Sequence, residues 1–234
     1  MGHDFRFKQF ALTHSRCAMK IGTDGVLLGA WAQLPEASGT ALDVGAGCGV
    51  IALMLTQRYP QARVTAVELD ADAAEDLRVN VDASPYSERV RVVQSDFTTV
   101  EGCYDLIVSN PPFFITGERS PQSARAAARH VDHGLSPLSL IAYAAAHLNQ
   151  CGRVALIFPA EQLSEVEFQA AMHRLNPLRI TEVASAATRP PMRVLAEFSP
   201  IEAPCVRSRI DIHTADGGYT PDYVSLTKDF YLNL

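Results

Sequence analysis

The sequence predicts an α/β fold: an open, mostly parallel sheet with helices on both faces and antiparallel strands toward the C-terminus. Three observations predict it. From residue 40 onward, short strand-like runs alternate with helical runs, the pattern of parallel strands joined by crossover helices. The first strand-to-helix junction is a glycine cluster, Gly45, Gly47 and Gly49, where such sheets bind their ligands. The chain's 234 residues are 47% hydrophobic and 20% charged, which suits one domain with a substantial core.

In chain order, residues 40–44 (TALDV) read as a short buried strand and 49–59 as a helix opening after the glycines. Residues 62–69 are strand-like, 70–83 a polar-faced helix, and 89–95 a third strand. YDLIVS (104–109) is a fourth strand, followed by a long connection to about residue 136. Residues 137–150 read as helix, 152–159 as strand, 160–175 as helix and 178–185 as strand. From Met192 the helical alternation stops, so MRVLAEFSP and the residues after it are expected to supply antiparallel edge strands. Neither an internal repeat nor a low-complexity linker interrupts the chain. The expected organisation is a single domain over 1–234, with 1–38 as an N-terminal extension and 39–234 as the core.

Composition narrows the function classes. No apolar run approaches the roughly 20 residues of a membrane span, and the N-terminus MGHDFRFKQF lacks the apolar core of a secretory signal. A myristoylation match fails at Arg6. The five cysteines are scattered and never spaced C-x-x-C, as expected of reduced thiols in a cytoplasmic protein without a zinc site. The net charge of −6 is concentrated: residues 68–105 hold ten acids against Arg78, Arg89 and Arg91, so the remainder nets +1. A polyanionic partner responds to charge distribution more than to its total, and the composition permits an RNA or DNA substrate.

The glycine loop LDVGAGCGV sets Asp43, Gly45, Gly47 and Gly49 between the first core strand and its helix. Glycine permits positive φ and close backbone approach of a ligand. A dinucleotide fingerprint starting at Gly45 requires glycine at 50, where Val50 stands. D-x-G-x-G-x-G instead resembles the S-adenosylmethionine loop of class I methyltransferases, whose fold is Rossmann-like with a seven-stranded type of sheet. That resemblance implies further roles at strand ends. Glu68, closing VTAVE, would accept from the ribose hydroxyls. Asp96 and Phe97, after RVVQS, would read the adenine by its exocyclic amine and its ring.

IVSNPPFFITG (107–117) then acquires a meaning. A residue before proline is pushed toward extended backbone and each proline fixes its own φ, so Asn110-Pro111-Pro112 is a stiff bend bearing an amide and a carbonyl. An exocyclic amine conjugated to a ring is a poor nucleophile. Accepting its two N–H bonds through Asn110 Oδ1 and the Pro111 carbonyl would favour the pyramidal nitrogen that attacks. Phe113 offers a face on which a base can stack.

NPPF resembles the [DNS]-P-P-[YFW] signature of amino-methyltransferases acting on adenine N6, cytosine N4 or glutamine. The ends of the chain, FRFKQFALTHSRCAMKIGTDGVLLGAWA (5–32) and SLTKDFYLNL (225–234), look like the bacterial tRNA (adenine-N6) methyltransferases that modify adenine 37 of a valine tRNA. By that resemblance KIGTDGVLLG lines the cofactor pocket, with Lys20, Thr23 and Asp24 as polar contacts. The residues by themselves indicate only a turn or helix cap at Asp24-Gly25.

A tRNA partner needs phosphate contacts. The connection after the bend carries Arg119, Arg125 and Arg129, and TRPPMRV adds Arg189 and Arg193; these arginines are the candidate RNA contacts, against the alternative of an ordinary solvated set. His130 and His133 have no metal-ligand spacing, and no metal is expected. The rivals are glutamine methylation of a release factor, which usually shows N-P-P-Y and a helical domain ahead of the loop, DNA adenine methylation, which more often uses an added recognition domain, and a scaffold without turnover.

Overall fold

The computed structural model describes residues 5–17, 19–112 and 134–234. The chain opens with a short antiparallel hairpin, β1 (Phe5–Arg6) and β2 (Ala11–Leu12), followed by helix α1 (Thr23–Trp31). The core then runs β3 (Thr40–Val44), α2 (Val50–Arg58), β4 (Arg63–Glu68), α3 (Ala71–Ala83), β5 (Val90–Gln94) and β6 (Tyr104–Ser109). After the undescribed residues come α4 (Pro137–His147), β7 (Leu148–Pro159), α5 (Leu163–Met172), β8 (Asn176–Ala186), β9 (Arg193–Ser199), β10 (Val206–His213) and α6 (Pro221–Thr227). The helix expected over 137–150 ends at His147, where β7 begins.

Eight strands form one sheet in the order β10-β8-β9-β7-β6-β3-β4-β5. Strands β3 to β7 pair in parallel, so their carboxyl ends share one edge of the sheet. One face is covered by α1, α2, α3 and α6, whose Leu28, Leu53, Leu77 and Tyr223 join one apolar cluster. The other is covered by α4 and α5, which contribute Leu140, Ile141 and Val166 to a second. Crossover helices on both faces explain why the central strands read as unbroken apolar runs, such as Leu106–Val108, rather than alternating ones.

The C-terminal strands correct one expectation. β9 is antiparallel to its neighbours, as expected, but it lies between β7 and β8 instead of at an edge. Its residues Val194–Ser199 are all buried, Glu197 included. The Glu197 carboxylate accepts from Arg179 Nε at 2.9 Å and Arg153 at 3.4 Å, tying β9 to both flanking strands. The Arg179 guanidinium lies 3.9 Å over the Trp31 ring, which fastens α1 to the same place. The edge belongs to β10, which pairs in parallel with β8 and carries exposed Arg207, Ser208 and Arg209. Charged side chains are a usual defence of a free strand edge.

The glycine loop behaves as its composition predicts. Gly45, Gly47 and Gly49 have φ of 67°, 56° and 93°. Gly49 caps α2, and a Cβ there would stand 2.6 Å from Leu77 Cδ1 of α3. Backbone strain and contact together are expected to make Gly49→Ala destabilising by about 2 kcal/mol; urea denaturation measures it.

Candidate functional site

Backbone and side-chain bonds hold the carboxyl ends of four strands together. Ser109 Oγ, at the end of β6, donates to the Val44 carbonyl at the end of β3 at 2.7 Å. The amides of Gly45 and Ala46 donate to the Val67 carbonyl of β4, and Ser95 N donates to the Glu68 carbonyl. Gly45 and Asn110 are therefore each the residue next after the bonded pair Val44 and Ser109. This local tie sets the glycine loop beside the proline bend.

Two hollows open along this edge. The smaller is lined by Val44, Gly45, Val67, Leu69, Ser95, Asp96, Phe97 and Leu135. It unites Gly45 with Asp96 and Phe97. Asp96 caps a short 3₁₀ turn, with Oδ1 accepting from Thr98 N at 2.9 Å and from the Thr98 hydroxyl. The buried Phe97 ring meets Tyr143 edge-on at 5.3 Å, and the Tyr143 hydroxyl is anchored on the Val100 carbonyl at 2.7 Å. Burial pushes the pKa of that phenol up to about 12. A Cβ on Gly45 would stand 2.9 Å from Leu135 Cδ2, so glycine leaves this hollow its opening.

The larger cleft brings Lys20, Thr23, Asp24, Asn110 and Arg193 together among Met19, Leu27, Val183, Met192 and Ile212. Residues from opposite ends of the chain meet there because α1 packs over the sheet beside β8. Asn110 Oδ1 is buried and has no hydrogen-bond partner among the described residues. A buried amide oxygen in that state costs roughly 1–3 kcal/mol. Lys20 Nζ donates to the His14 carbonyl at 3.2 Å. Arg193 Nε is bound to Asp24 Oδ2 at 2.9 Å, so two residues assigned to different ligands by sequence form one ion pair in the cleft wall. Arg189 is exposed on the turn between β8 and β9.

Asp43 and Glu68 sit beneath the loop and line neither hollow. Asp43 is fully buried; its Oδ2 accepts from Ala52 N at 3.0 Å and its Oδ1 has no partner among the described residues. Burial raises its pKa to about 7, against the Ala52 amide and with help from the Glu68 charge. Glu68, 1% exposed, accepts from Gly47 N at 2.8 Å and Asp70 N at 2.9 Å. Phe113, Arg119, Arg125, Arg129, His130 and His133 lie outside the described residues.

Two residues of α3 were not anticipated. Asp76 Oδ2 accepts from the amides of Arg16 and Cys17 at 2.8 and 2.9 Å. Asn80 bonds both Thr13 amide and carbonyl and donates to the Cys48 carbonyl in the glycine loop. These side chains bind the N-terminal segment to the loop. Their signal is that Asp76 and Asn80, four residues apart, share a face with Ala73, Leu77 and Val81: polar groups on an apolar stripe.

The residues fit a ligand that presents hydrogen-bond donors. Asn110 lines the cleft, its buried Oδ1 has no partner among the described residues, and a loop of positive-φ glycines adjoins a hollow with an aromatic wall. Among the described residues no group of three or more His, Cys, Asp or Glu is placed to hold a metal, and no helix is long and apolar enough to cross a membrane. The family model described as "Methyltransferase small domain" matches residues 13–178. Proteins named tRNA1(Val) (adenine(37)-N6)-methyltransferase are similar over nearly the whole chain. The one from Aeromonas hydrophila is 45% identical, covering 98% of each chain. The one from Porphyromonas gingivalis is 44% identical, covering 97% of this chain and 94% of its own. Among solved structures, a predicted O-methyltransferase of Agrobacterium tumefaciens superposes with a TM-score of 0.71 at 19% identity, covering 91% of this chain and all of its own; this likeness shows the fold.

Proposed function

As a member of the tRNA1(Val) (adenine(37)-N6)-methyltransferase family, this chain is an S-adenosylmethionine-dependent methyltransferase, and we propose that it methylates the N6 amine of adenine 37 in a valine tRNA. The observation that carries this reading is Asn110, which lines the larger cleft and whose buried Oδ1 is unpartnered among the described residues. An amine nitrogen that must attack is the donor such an acceptor suits. The bound cofactor supplies an electrophilic methyl group on a sulfonium, and S-adenosylhomocysteine is the product left behind.

The chain's residues do the rest. The loop of Gly45, Gly47 and Gly49 presents backbone close to the cofactor, carried from below by Asp43 and Glu68. Glu68 would also serve the ribose hydroxyls. Asp96 would accept from the adenine amine of the cofactor, with Phe97 against its ring. Lys20, Thr23 and Asp24 contribute polar groups beside Asn110. Asn110 Oδ1 and the Pro111 carbonyl accept the two N6–H bonds of the target, which favours a nitrogen lone pair free to attack; Pro112 holds the bend and Phe113 would stack on the base. The base must leave its stack to arrive there, at a cost of a few kcal/mol that is smaller in an anticodon loop than in a duplex. The proton lost after transfer goes to water.

We assign phosphate contacts to Arg119, Arg125, Arg129 and Arg189, with Arg193 contributing while paired to Asp24. The whole chain would act as one cytoplasmic domain, residues 1–38 serving as an extension of its cofactor pocket. The test is transfer of labelled methyl to unmodified tRNA, DNA and release factor in parallel. Digestion of the labelled tRNA is expected to yield N6-methyladenosine. Label confined to protein would move the assignment to glutamine, and no label in any pool would leave the scaffold reading.

A further inference from the structure

Beside the larger cleft lies a further opening, lined by Phe5, Tyr219, Tyr223, Tyr231 and Asn233 together with Ile21, Gly22, Thr23 and Leu234. Gly22 and Thr23 line both spaces, so the start of α1 is a shared wall. The aromatic side of the pocket is assembled from both ends of the chain. Phe5 packs against Tyr231 at 6.3 Å, and Tyr219 stacks with Tyr223 at 5.0 Å and with His213 at 5.2 Å. Tyr223 is buried, whereas Tyr219 is 44% exposed.

The chemistry of this lining is specific. Among its described residues no lining side chain is Lys, Arg, Asp or Glu. Aromatic walls with a single amide, Asn233, match a planar heterocycle with donors and acceptors on its edge, the way unpaired bases of RNA are held. Core packing accounts for the buried Tyr223, whereas Tyr219, stacked on Tyr223 and His213, keeps much of its surface open where it lines the pocket.

We propose that this pocket receives the unpaired nucleobase adjoining the methylated adenine, with Tyr219 forming its wall and Asn233 reading its edge. The inference rests on the RNA methylation proposed above. The target adenine occupies the Asn110 cleft, and the chain of the RNA crosses the shared wall at Gly22 and Thr23. Two bases are thereby held apart in separate sites, which keeps the target from restacking on its neighbour.

The test compares wild type, Tyr219→Ala, Tyr219→Phe and Asn233→Ala on unmodified valine tRNA, and on the same RNA made abasic on either side of the target. For Tyr219→Ala the KM for RNA is expected to rise about tenfold or more, with kcat and cofactor affinity unchanged. Tyr219→Phe should remain near wild type, and Asn233→Ala should raise KM. The deciding result is non-additivity: one abasic position should weaken wild type yet leave Tyr219→Ala indifferent. If wild type methylates the tRNA but Tyr219→Ala matches it, or the two losses simply add, the pocket holds no base and only this inference fails. If wild type transfers no methyl to RNA, the methylation reading fails and takes this one with it.

Discussion

Asn110→Ala is expected to lower transfer to RNA by roughly 10²–10³-fold, the usual consequence of removing one preorganised hydrogen-bonding group from a reacting centre. Cofactor affinity should stay nearly unchanged. The two measurements are single-turnover transfer and calorimetric titration of the cofactor. Stability provides an independent check. Asn110 Oδ1 is buried without a partner among the described residues, so truncation removes an unsatisfied acceptor and should leave the melting temperature equal or higher, by the equivalent of about 1 kcal/mol. A variant that is inactive and less stable would be explained by misfolding of the bend. One that is inactive and no less stable isolates the chemistry. Near-normal turnover would end the role assigned to the amide.

Why the glycine loop was legible in the sequence, and other parts of the candidate site were not, comes down to the range of the forces involved. The glycine loop is a local demand: Gly45, Gly47 and Gly49 all adopt positive φ, and three glycines within five residues declare it. Asp96 and Phe97 are likewise placed by the strand that precedes them. The ion pair between Asp24 and Arg193 spans 169 residues. Nothing near either one signals it, and each was read as a ligand contact on its own. The interior position of β9 was missed for a related reason. Loss of helical alternation after Met192 says that more strands are coming, not which neighbours they find. The buried run of Val194–Ser199 was the available sign, since an edge strand rarely has both faces covered. Asp76 and Asn80 were visible as polar intrusions on an apolar helix face, but their partners lie some 60 residues away in Thr13, Arg16 and Cys17.

Asp43→Asn is expected to raise the stability of the ligand-free protein in a manner that depends on pH. Asp43 is fully buried, and its Oδ1 is unpartnered among the described residues. Burial is the main cause of its rise to about 7, whereas an unfolded aspartate titrates near about 3.9. The native state consequently binds more protons than the unfolded chain between those two values. Stability from this group is fully present below about pH 4 and falls as pH rises toward about 7, after which it is level. At about 1.4 kcal/mol per pH unit, the loss reaches at most about 4 kcal/mol. Asparagine keeps an oxygen for the Ala52 amide and cannot ionise, so the variant should lack this slope. Urea denaturation should give nearly equal stabilities at pH 4 and a clear excess for Asp43→Asn at pH 8. Identical slopes for the two proteins would show that Asp43 does not titrate in this range. On the proposed cofactor role of the glycine loop, the ligand would give a reason to retain an acid here. It carries a sulfonium and an ammonium, and a carboxylate under the glycine loop attracts both, so Asp43→Asn should bind cofactor more weakly at pH 8 even while it is harder to unfold. Gain in one property with loss in the other is the pattern of a residue kept for binding at a cost in stability.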